Sequence, residues 1–321
     1  MEERVGEHGP LNIFAEMLGT TVNKGQVIVP ADKGSGYFKG ILLDNFAGLL
    51  FFNYHLNDNL IYQRPHQKEE VNVRLENYPY LLFQFRGCLA DDSVSLSQRF
   101  VQISTMGINM EEDVMSGKDR ADLFITINSK HLIQKIPNHS ESLILKSILF
   151  NERPLFFEYS INKQIQSIIT EIIECSVPSN FISYFLSIKV DELICRLLVS
   201  LAGRQEQTIY PIHPNDLRKI YSVKDQILAN LSNPPIIESL AKNACMSETK
   251  LKRLFKQVFG DSIFNYYEIR RIQKAAQLLK GGGQTVSSVG YTLGFTNLSH
   301  FSRIFERIIG VKPKAYCKLH L

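Results

Sequence analysis

The feature of this sequence that most constrains its fold is an internal repeat of two helical segments joined by a short turn, within residues 236–316. A shift of 50 positions places Arg253 on Arg303 and Phe255 on Phe305. The first helical segment of each copy requires a shift of 49 positions, so the turn of the second copy is one residue longer. A repeated helix, short turn and helix is the sequence form of a helix-turn-helix that is used twice.

The second helix of each copy is predicted to be amphipathic and to have cap residues at both ends. Ser247 in the first copy, and Thr296 or Asn297 in the second, are N-cap candidates. Gly260 and Gly310 stand where a left-handed residue commonly ends a helix. Apolar residues recur between these ends at helical spacing; they are Leu251, Leu254, Phe255 and Val258 in the first copy and Phe301, Ile304, Phe305 and Ile308 in the second.

The opposite faces of the predicted helices 247–259 and 297–309 carry residue types that hydrogen-bond base edges and phosphates. The members of this set are Thr249, Lys252, Arg253, Lys256, Ser299, Ser302, Arg303 and Arg307. A pair of structural helices with solvated charged faces is the alternative interpretation. Two copies in register favour a nucleic-acid-binding role over that alternative.

Residues 236–316 resemble the C-terminal DNA-binding domain of the AraC/XylS family of bacterial transcription regulators. The most diagnostic part is the turn Gly294-Phe295, followed by the run 300–305 and then by Gly310 and Pro313. The other positions that carry the resemblance are Leu240, Ala241, Ser247, Leu251, Lys252, Arg253, Leu254, Phe255, Gly260, Tyr266, Arg270, Ala275, Leu278, Leu279, Val289 and Tyr316.

Two positions depart from the pattern of the family. Gly290 stands where the family usually has Ala, and glycine lowers helix propensity. Cys317 follows Tyr316 where Arg is usual. A contact of that arginine with the DNA backbone is therefore not expected in this chain.

The resemblance implies that helices 247–259 and 297–309 enter successive major grooves, which lie about 34 Å apart on one side of the DNA. A helix over 262–280 would set the distance between them. The expected base or phosphate contacts are Thr249, Lys252 and Arg253 in the first helix, and Ser299, Ser302 and Arg303 in the second, with Asn297 and His300 flanking.

Three further cations are expected at phosphates. They are Lys250, Lys256 and Arg307, and such contacts determine affinity and salt dependence rather than sequence choice. Arg253 and Arg303 are candidates for bidentate contact with guanine, with phosphate as the alternative partner.

The charge distribution also indicates a polyanionic partner for the C-terminal third. The chain has a formal net charge of +4, but residues 217–321 carry +11 and the remainder carries −7. A basic segment joined to an acidic remainder is typical of a protein that contacts nucleic acid with one part.

Cysteine usage and hydropathy indicate a cytoplasmic protein. The five cysteines, Cys88, Cys175, Cys195, Cys245 and Cys317, form no C-x-x-C pair, which favours reduced thiols over a disulfide scaffold or a zinc site. No signal peptide is recognisable, and no apolar stretch is long enough to span a bilayer. We expect no cofactor and no membrane partner.

Residues 21–127 are predicted to be rich in strands that form an antiparallel barrel or sandwich. The predicted strands are Val27–Val29, Gly40–Leu43, Leu49–Leu56, Val71–Leu75, Leu81–Arg86, Phe100–Ser104 and Leu123–Ile127, with turns at Asp32–Gly36 and Asn57–Asn59. Many members of the family carry a cupin-like or related sensing domain in this position, and the resemblance implies one here.

Two sets of residues in this segment permit a binding-site interpretation. His55 and His66 could bind a metal, but no third ligand is recognisable, and we interpret them as structural or solvated. The aromatic residues Phe51, Phe52, Tyr54, Phe83 and Phe85 could line an effector pocket or fill the core. The sequence does not separate those two roles.

Residues 129–203 are predicted to be helical, over Ser129–Ile136, Ser140–Phe150, Ile161–Cys175 and Asn180–Leu201. The last helix has a broad apolar stripe, made by Phe181, Tyr184, Phe185, Ile188, Leu193, Leu197, Leu198 and Leu201. Helices 161–201 could pack on the β domain alone or could also form a homodimer, as helices in this position often do in the family.

These patterns predict an α+β protein of two domains: an N-terminal sensing or dimerisation domain over 1–203 and an all-α DNA-binding domain over 215–321, joined by a linker over 204–214. In the second domain we predict helix-turn-helices over 236–259 and 286–309.

The predicted function is sequence-specific transcription regulation, as an activator by the habit of the family, with RNA polymerase as a partner and a small-molecule effector in the N-terminal domain. One alternative is a regulator without an effector, whose N-terminal domain only dimerises or binds a protein. The other is a cupin-type enzyme with a DNA-binding tail. We expect no enzyme, because no catalytic motif and no His/Glu cluster is recognisable.

Overall fold

A computed structural model describes residues 9–43, 46–58, 60–62, 80–86, 99–105, 112–114, 120–137, 142–150, 154–204 and 208–320. The chain divides into two units, residues 1–214 and residues 215–321. Among the described residues, every helix is too short or too polar to cross a membrane.

The first unit is built around an antiparallel seven-stranded sheet. Its elements are α1 (Gly9–Leu18), β1 (Gln26–Ile28), β2 (Gly34–Leu43), β3 (Ala47–Leu56), β4 (Leu60–Tyr62), β5 (Tyr80–Arg86), β6 (Phe100–Thr105), β7 (Glu112–Val114), β8 (Arg120–Asn128), α2 (Ser129–Lys135), α3 (Leu143–Phe150), β9 (Phe156–Ser160), α4 (Lys163–Ile173) and α5 (Ile182–Ala202). The strand order is β1-β2-β3-β8-β5-β6-β9, and β4 pairs with β7 in a separate two-stranded sheet. The prediction of a β-rich N-terminal region followed by helices is confirmed.

Alternation along the strands gives the sheet two different faces. On one face, Phe51, Phe83 and Ile125 belong to a core cluster that also contains residues of α2, α3, α4 and α5. On the other face, Phe38 and Phe52 pack with residues of α1. Helices thus cover both faces of the main sheet, where a sandwich would place a second large sheet on one of them.

The structure locates all five aromatic residues of the proposed pocket or core, but only one of the two histidines considered as metal ligands. The five aromatic residues proposed for a pocket or a core are all buried, and they divide between the two clusters on opposite faces. His55 lies on β3 and is half-buried, whereas His66 lies outside the described residues.

Two local predictions were wrong and one cannot be compared. Phe156–Ser160 was expected within a helical segment, but it is strand β9, which pairs with β6 at the edge of the sheet. Gly34 and Gly36 were expected in a turn, but they begin β2 and pair with β3. At Gly36 the φ angle is +104°, and a Cβ would lie 2.1 Å from the carbonyl oxygen of Asn53, so only glycine permits this close strand pairing. The predicted strand 71–75 lies outside the described residues.

The second unit is all-helical and contains the two predicted helix-turn-helices. Its helices are α6 (Pro214–Ala229), α7 (Ile237–Asn243), α8 (Glu248–Phe259), α9 (Ile263–Lys280), α10 (Val286–Thr292), α11 (Leu298–Ile309) and α12 (Pro313–His320). Helices α7 and α8 form the first motif, α10 and α11 form the second, and α9 connects them.

The turns of the two motifs have matching backbone hydrogen bonds. The N–H of Cys245 donates to Lys242 O at 3.1 Å, and the N–H of Gly294 donates to Tyr291 O at 2.8 Å. These two donors correspond in the repeat, and both have left-handed φ angles, +49° and +77°. The repeat in the sequence is therefore a repeat in backbone conformation.

We expect Gly294→Ala to lower the free energy of unfolding more than Gly310→Ala does. Both glycines have left-handed φ angles, so each substitution adds about 1–2 kcal/mol of backbone strain. A Cβ at Gly294 would also lie 2.0 Å from Ser232 O, whereas a Cβ at Gly310 would have no described atom within 4 Å. Forcing that contact apart should add about 1–3 kcal/mol. Urea unfolding followed by circular dichroism measures both variants, and equal losses would contradict the close approach at Gly294.

Candidate nucleic-acid interface

Helix α8 exposes the polar face that the sequence predicted. The Ser247 hydroxyl accepts a hydrogen bond from the N–H of Lys250, and Gly260 ends the helix with a φ angle of +80°. The predicted apolar stripe is buried, so the opposite side of the helix faces solvent. Thr249, Lys252, Arg253 and Lys256 are exposed on that side, and Lys250 is half-buried at its border.

Helix α11 has the same design. Of the two N-cap candidates, Asn297 is the cap, and its side-chain oxygen accepts from the N–H of His300 at 3.0 Å. Phe301, Ile304 and Phe305 are buried, while Ile308 is half-buried. The exposed residues of the predicted set are Asn297, Ser299, His300, Arg303 and Arg307, and Ser302 is half-buried.

Equivalent aromatic pairs pack against the buried sides of α8 and α11. The rings of Phe255 and Tyr266 meet edge-to-face with centroids 5.4 Å apart. The rings of Phe305 and Tyr316, which correspond to them in the repeat, do the same at 5.6 Å. Edge-to-face pairs of this kind add to the stability gained from burial alone. Both helices are thus held against the unit by the same contact.

The departure at Gly290 has a packing reason. A Cβ at this position would lie 2.8 Å from Leu298 Cδ2 and 3.3 Å from Phe301 Cδ1, both on α11. Helix α10 therefore crosses α11 more closely than an alanine would allow without movement. The loss of helix propensity that the sequence indicated accompanies this close crossing.

Three of the predicted contact cations already have acidic partners within the unit. Lys250 Nζ lies 2.8 Å from Asp216 Oδ2 on α6, and Arg307 forms an ion pair with Glu268 on α9. Lys252 forms an ion pair with Glu248, one turn earlier on the same helix. Ion pairs that remain accessible to solvent contribute only about 0.2–1 kcal/mol. Replacing the carboxylate by a DNA phosphate would therefore cost little, but it would reduce the net gain from each contact.

Two buried cations in this unit, Lys224 and Arg271, were not predicted from the sequence to have a role. Lys224 Nζ lies 4.8 Å from the centroid of the Tyr221 ring and 5.3 Å from that of Phe259. The Arg271 guanidinium lies over the Phe295 ring, and burial lowers the pKa of this group below its ordinary value. A cation on the apolar side of a predicted helix was the signal that could have identified both.

Among the described residues, no three His, Cys, Asp or Glu side chains are grouped so that they could hold a metal ion. The exposed polar residues of α8 and α11 offer hydrogen-bonding groups and positive charge, and both helices present them to solvent. Such faces match the donors and acceptors of DNA bases and phosphates.

Comparison with known protein families supports the assignment of helix-turn-helix motifs to the C-terminal segment. Residues 240–318 match a family described as a helix-turn-helix domain. The chain is 28% identical over 124 residues to the arabinose operon regulatory protein of Escherichia coli (strain K12), which covers 39% of this chain and 42% of that protein. It is 28% identical over 133 residues to the HTH-type transcriptional activator RhaR of Pectobacterium carotovorum, covering 41% and 46%. The chain thus spans less than half the length of these curated relatives.

A solved structure also resembles this segment. It is a transcriptional regulator from Chromobacterium violaceum, titled as one of the AraC-type DNA-binding domain-containing proteins, with 25% identity and a TM-score of 0.32. The match covers 34% of this chain and 96% of that one.

We expect Glu268→Gln to tighten binding to random-sequence DNA by up to about fivefold, because Arg307 then no longer exchanges an acidic partner for a phosphate. Fluorescence anisotropy at several salt concentrations measures the affinity. Glu306→Gln is the matched control, since it removes an equally negative side chain next to Arg307 on α11. An equal gain in both variants, or a gain that persists in an Arg307→Ala background, would show a general charge effect instead.

Proposed function

We propose that this chain, which carries an AraC-type helix-turn-helix domain over residues 240–318, is a sequence-specific DNA-binding transcription regulator that acts in the cytoplasm on nucleoid DNA. The observation that carries the proposal is the presentation of two polar helix faces, on α8 and α11, by equivalent caps, turns and aromatic supports. A chain that only needed two stable helices would not require polar faces in register.

The proposed mechanism places α8 and α11 in successive major grooves on one side of the duplex. Helix α9 connects the two motifs and has 18 residues, so it is about 27 Å long. This length is comparable to the spacing of about 34 Å between successive major grooves. The length of the connection is therefore of the same order as one turn of DNA, the proposed separation of α8 and α11, the two reading helices.

The proposed contacts divide into those with bases or nearby phosphates and those with phosphates alone. Thr249, Lys252 and Arg253 on α8, and Ser299, Ser302 and Arg303 on α11, are assigned to bases or nearby phosphates, with Asn297 and His300 flanking. Asn297 uses its side-chain oxygen as the cap, which leaves its amide N–H groups as the donors for DNA. Lys250, Lys256 and Arg307 are assigned to phosphates.

We expect Arg303→Ala to weaken binding to a selected operator by about 1–3 kcal/mol and to relax base preference at one position. Arg303 is exposed on the outward face of α11, so its loss should leave the fold intact. Electrophoretic mobility shifts on selected and random duplexes separate the two possible roles. An equal loss on both duplexes would show that Arg303 contacts phosphate only.

We also propose that a small-molecule effector binds the sheet of the first unit. Gln84, Gln102 and Glu158 are cross-strand neighbours on β5, β6 and β9, and all three side chains are buried. Beside them, Arg86 lies 2.9 Å from Asp122 Oδ2 and 3.3 Å from Gln84 Oε1. Ligand sites place a small number of polar groups among apolar side chains, and this row of polar side chains on one sheet face is such a set.

The alternative is a regulator whose first unit only dimerises or binds a protein. Thermal melting of the purified protein in the presence of fractionated metabolites separates the two, because a ligand that binds only the folded state raises the melting temperature. A Gln102→Leu variant should lose that shift. A shift in no fraction would favour the alternative.

Helix α5 offers a surface for a homodimer. The broad apolar stripe predicted from the sequence divides into two faces in the structure. Leu193, Leu197, Leu198 and Leu201 enter the core of the first unit, while Tyr184 and Ile188 of the same stripe are exposed, as is Val199 outside it, with exposed fractions of 69%, 48% and 67%. These three residues recur at helical spacing, and we propose that they pair with the same face of a second copy.

Ile188→Glu should therefore convert a dimer to a monomer, because a charge would be buried at the centre of the helix pair. Size-exclusion chromatography with light scattering measures the mass directly. Leu42→Glu is the control, since Leu42 is similarly exposed but lies on strand β2. A wild-type protein that is monomeric at high concentration would refute the interface.

Activation through RNA polymerase is the proposed outcome of operator binding. The support is indirect, because one relative is named as a transcriptional activator. Transcription in vitro from a promoter beside the selected operator distinguishes activation from repression. No described feature favours the enzyme alternative.

A further inference from the structure

The second helix-turn-helix contacts the segment that leads into the first motif, in addition to the connection through α9. The segment between α6 and α7, which leads into the first motif, approaches the turn of the second motif. At Gly294 a Cβ would lie 2.0 Å from the backbone oxygen of Ser232. Leu231, the residue before it, packs against the core cluster of the second motif. The second turn is therefore docked on the segment that precedes the first motif.

Two side chains of α9 form hydrogen bonds with the two segments that meet at this contact. The Tyr267 hydroxyl donates to Leu231 O at 3.2 Å, and Tyr267 is almost fully buried. One helical turn later, Arg271 Nε donates to Leu293 O at 2.6 Å. Its guanidinium carbon lies 3.7 Å from the centroid of the Phe295 ring and 5.4 Å from that of Tyr267. One side of α9 thus contacts both the turn of the second motif and the segment that precedes the first motif.

The contact of Arg271 is well suited to hold the second turn. Leu293 is the C-cap of α10, so the guanidinium meets the negative end of that helix dipole and satisfies a carbonyl that lacks a helical partner. Burying an arginine is costly unless its donors are used. An apolar residue at this position would fill the space but would not fix the direction of the carbonyl.

The corresponding turn of the first motif is constructed differently. Its equivalent of Gly294 is Cys245, an exposed residue that carries a side chain at a φ angle of +49°. A cation also reaches this turn, but Lys219 Nζ lies 3.5 Å from Cys245 O in an exposed contact. Only the second turn has a buried cation, so the difference lies in the connection between motifs and not in the motif itself.

We propose that Tyr267 and Arg271 are positioning residues that fix the orientation of α11 relative to α8, and thereby the spacing of the two half-sites that the protein accepts. This inference rests on the proposed function, because it concerns how two reading helices share one duplex. Neither side chain contacts DNA in this scheme. Their loss leaves each motif able to read its half-site but allows the second motif to change its angle.

The test uses the full chain and a duplex selected by the wild-type protein from a random-sequence pool. A second duplex has one base pair inserted between the half-sites, which moves them apart by about 3.4 Å and rotates one by about 34°. Binding of wild type to the inserted duplex should be weaker by about tenfold or more. Tyr267→Phe and Arg271→Met should bind the selected duplex more weakly and show a much smaller penalty for the insertion.

Two controls separate positioning from folding. Lys274→Met makes the same charge change one turn later on an exposed part of α9, and it should keep the wild-type penalty. Tyr267→Phe removes only a hydroxyl, so it tests the inference even where Arg271→Met melts at a lower temperature. An unchanged insertion penalty in Tyr267→Phe would overturn the positioning role. Failure of the wild-type protein to select any duplex would overturn the proposed function, and the inference with it.

Discussion

The burial of one apolar stripe on each reading helix is the constraint on which the rest of the C-terminal unit depends. Phe255 and Phe305 are fully buried at equivalent positions, and each is supported by an edge-to-face tyrosine. Because a helix buries only one side, fixing these stripes also fixes which residues face outward. The polar faces of α8 and α11 are consequences of the core beneath them. The packing of the core therefore determines the orientation of the surface that is proposed to bind DNA.

In the proposed mechanism, the charged residues of that surface take part both in DNA binding and in ion pairs within the unit. Asp216 and Glu268 pair with cations that would otherwise be available to phosphates. Such pairs lower the net gain from non-specific contacts, and that loss is the same on every sequence. A protein that must leave incorrect sites benefits from this reduction, since specificity is a difference between affinities.

The first unit shows where sequence patterns reach their limit. Several of its strands were predicted well, because segments such as Leu81–Arg86 and Leu123–Ile127 are short apolar runs rich in β-branched and aromatic residues. Strand β9 was missed, since Phe156–Ser160 stands between two helical patterns and becomes a strand only by pairing with β6. Pairing order and the polar row on one sheet face depend on contacts between segments far apart in sequence. Periodicity carries no information about them.

For the reading helices, the sequence by itself determined the terminal glycines, the buried stripes and the exposed polar sets, because each depends on residues within four positions of one another. Only the tertiary structure decided which of those cations have partners on other helices, such as Lys250 and Arg307. It also decided the role of Arg271, whose partner Leu293 is 22 residues away. Local spacing specifies a helix face. What that face meets is specified by how α9 brings the two motifs together.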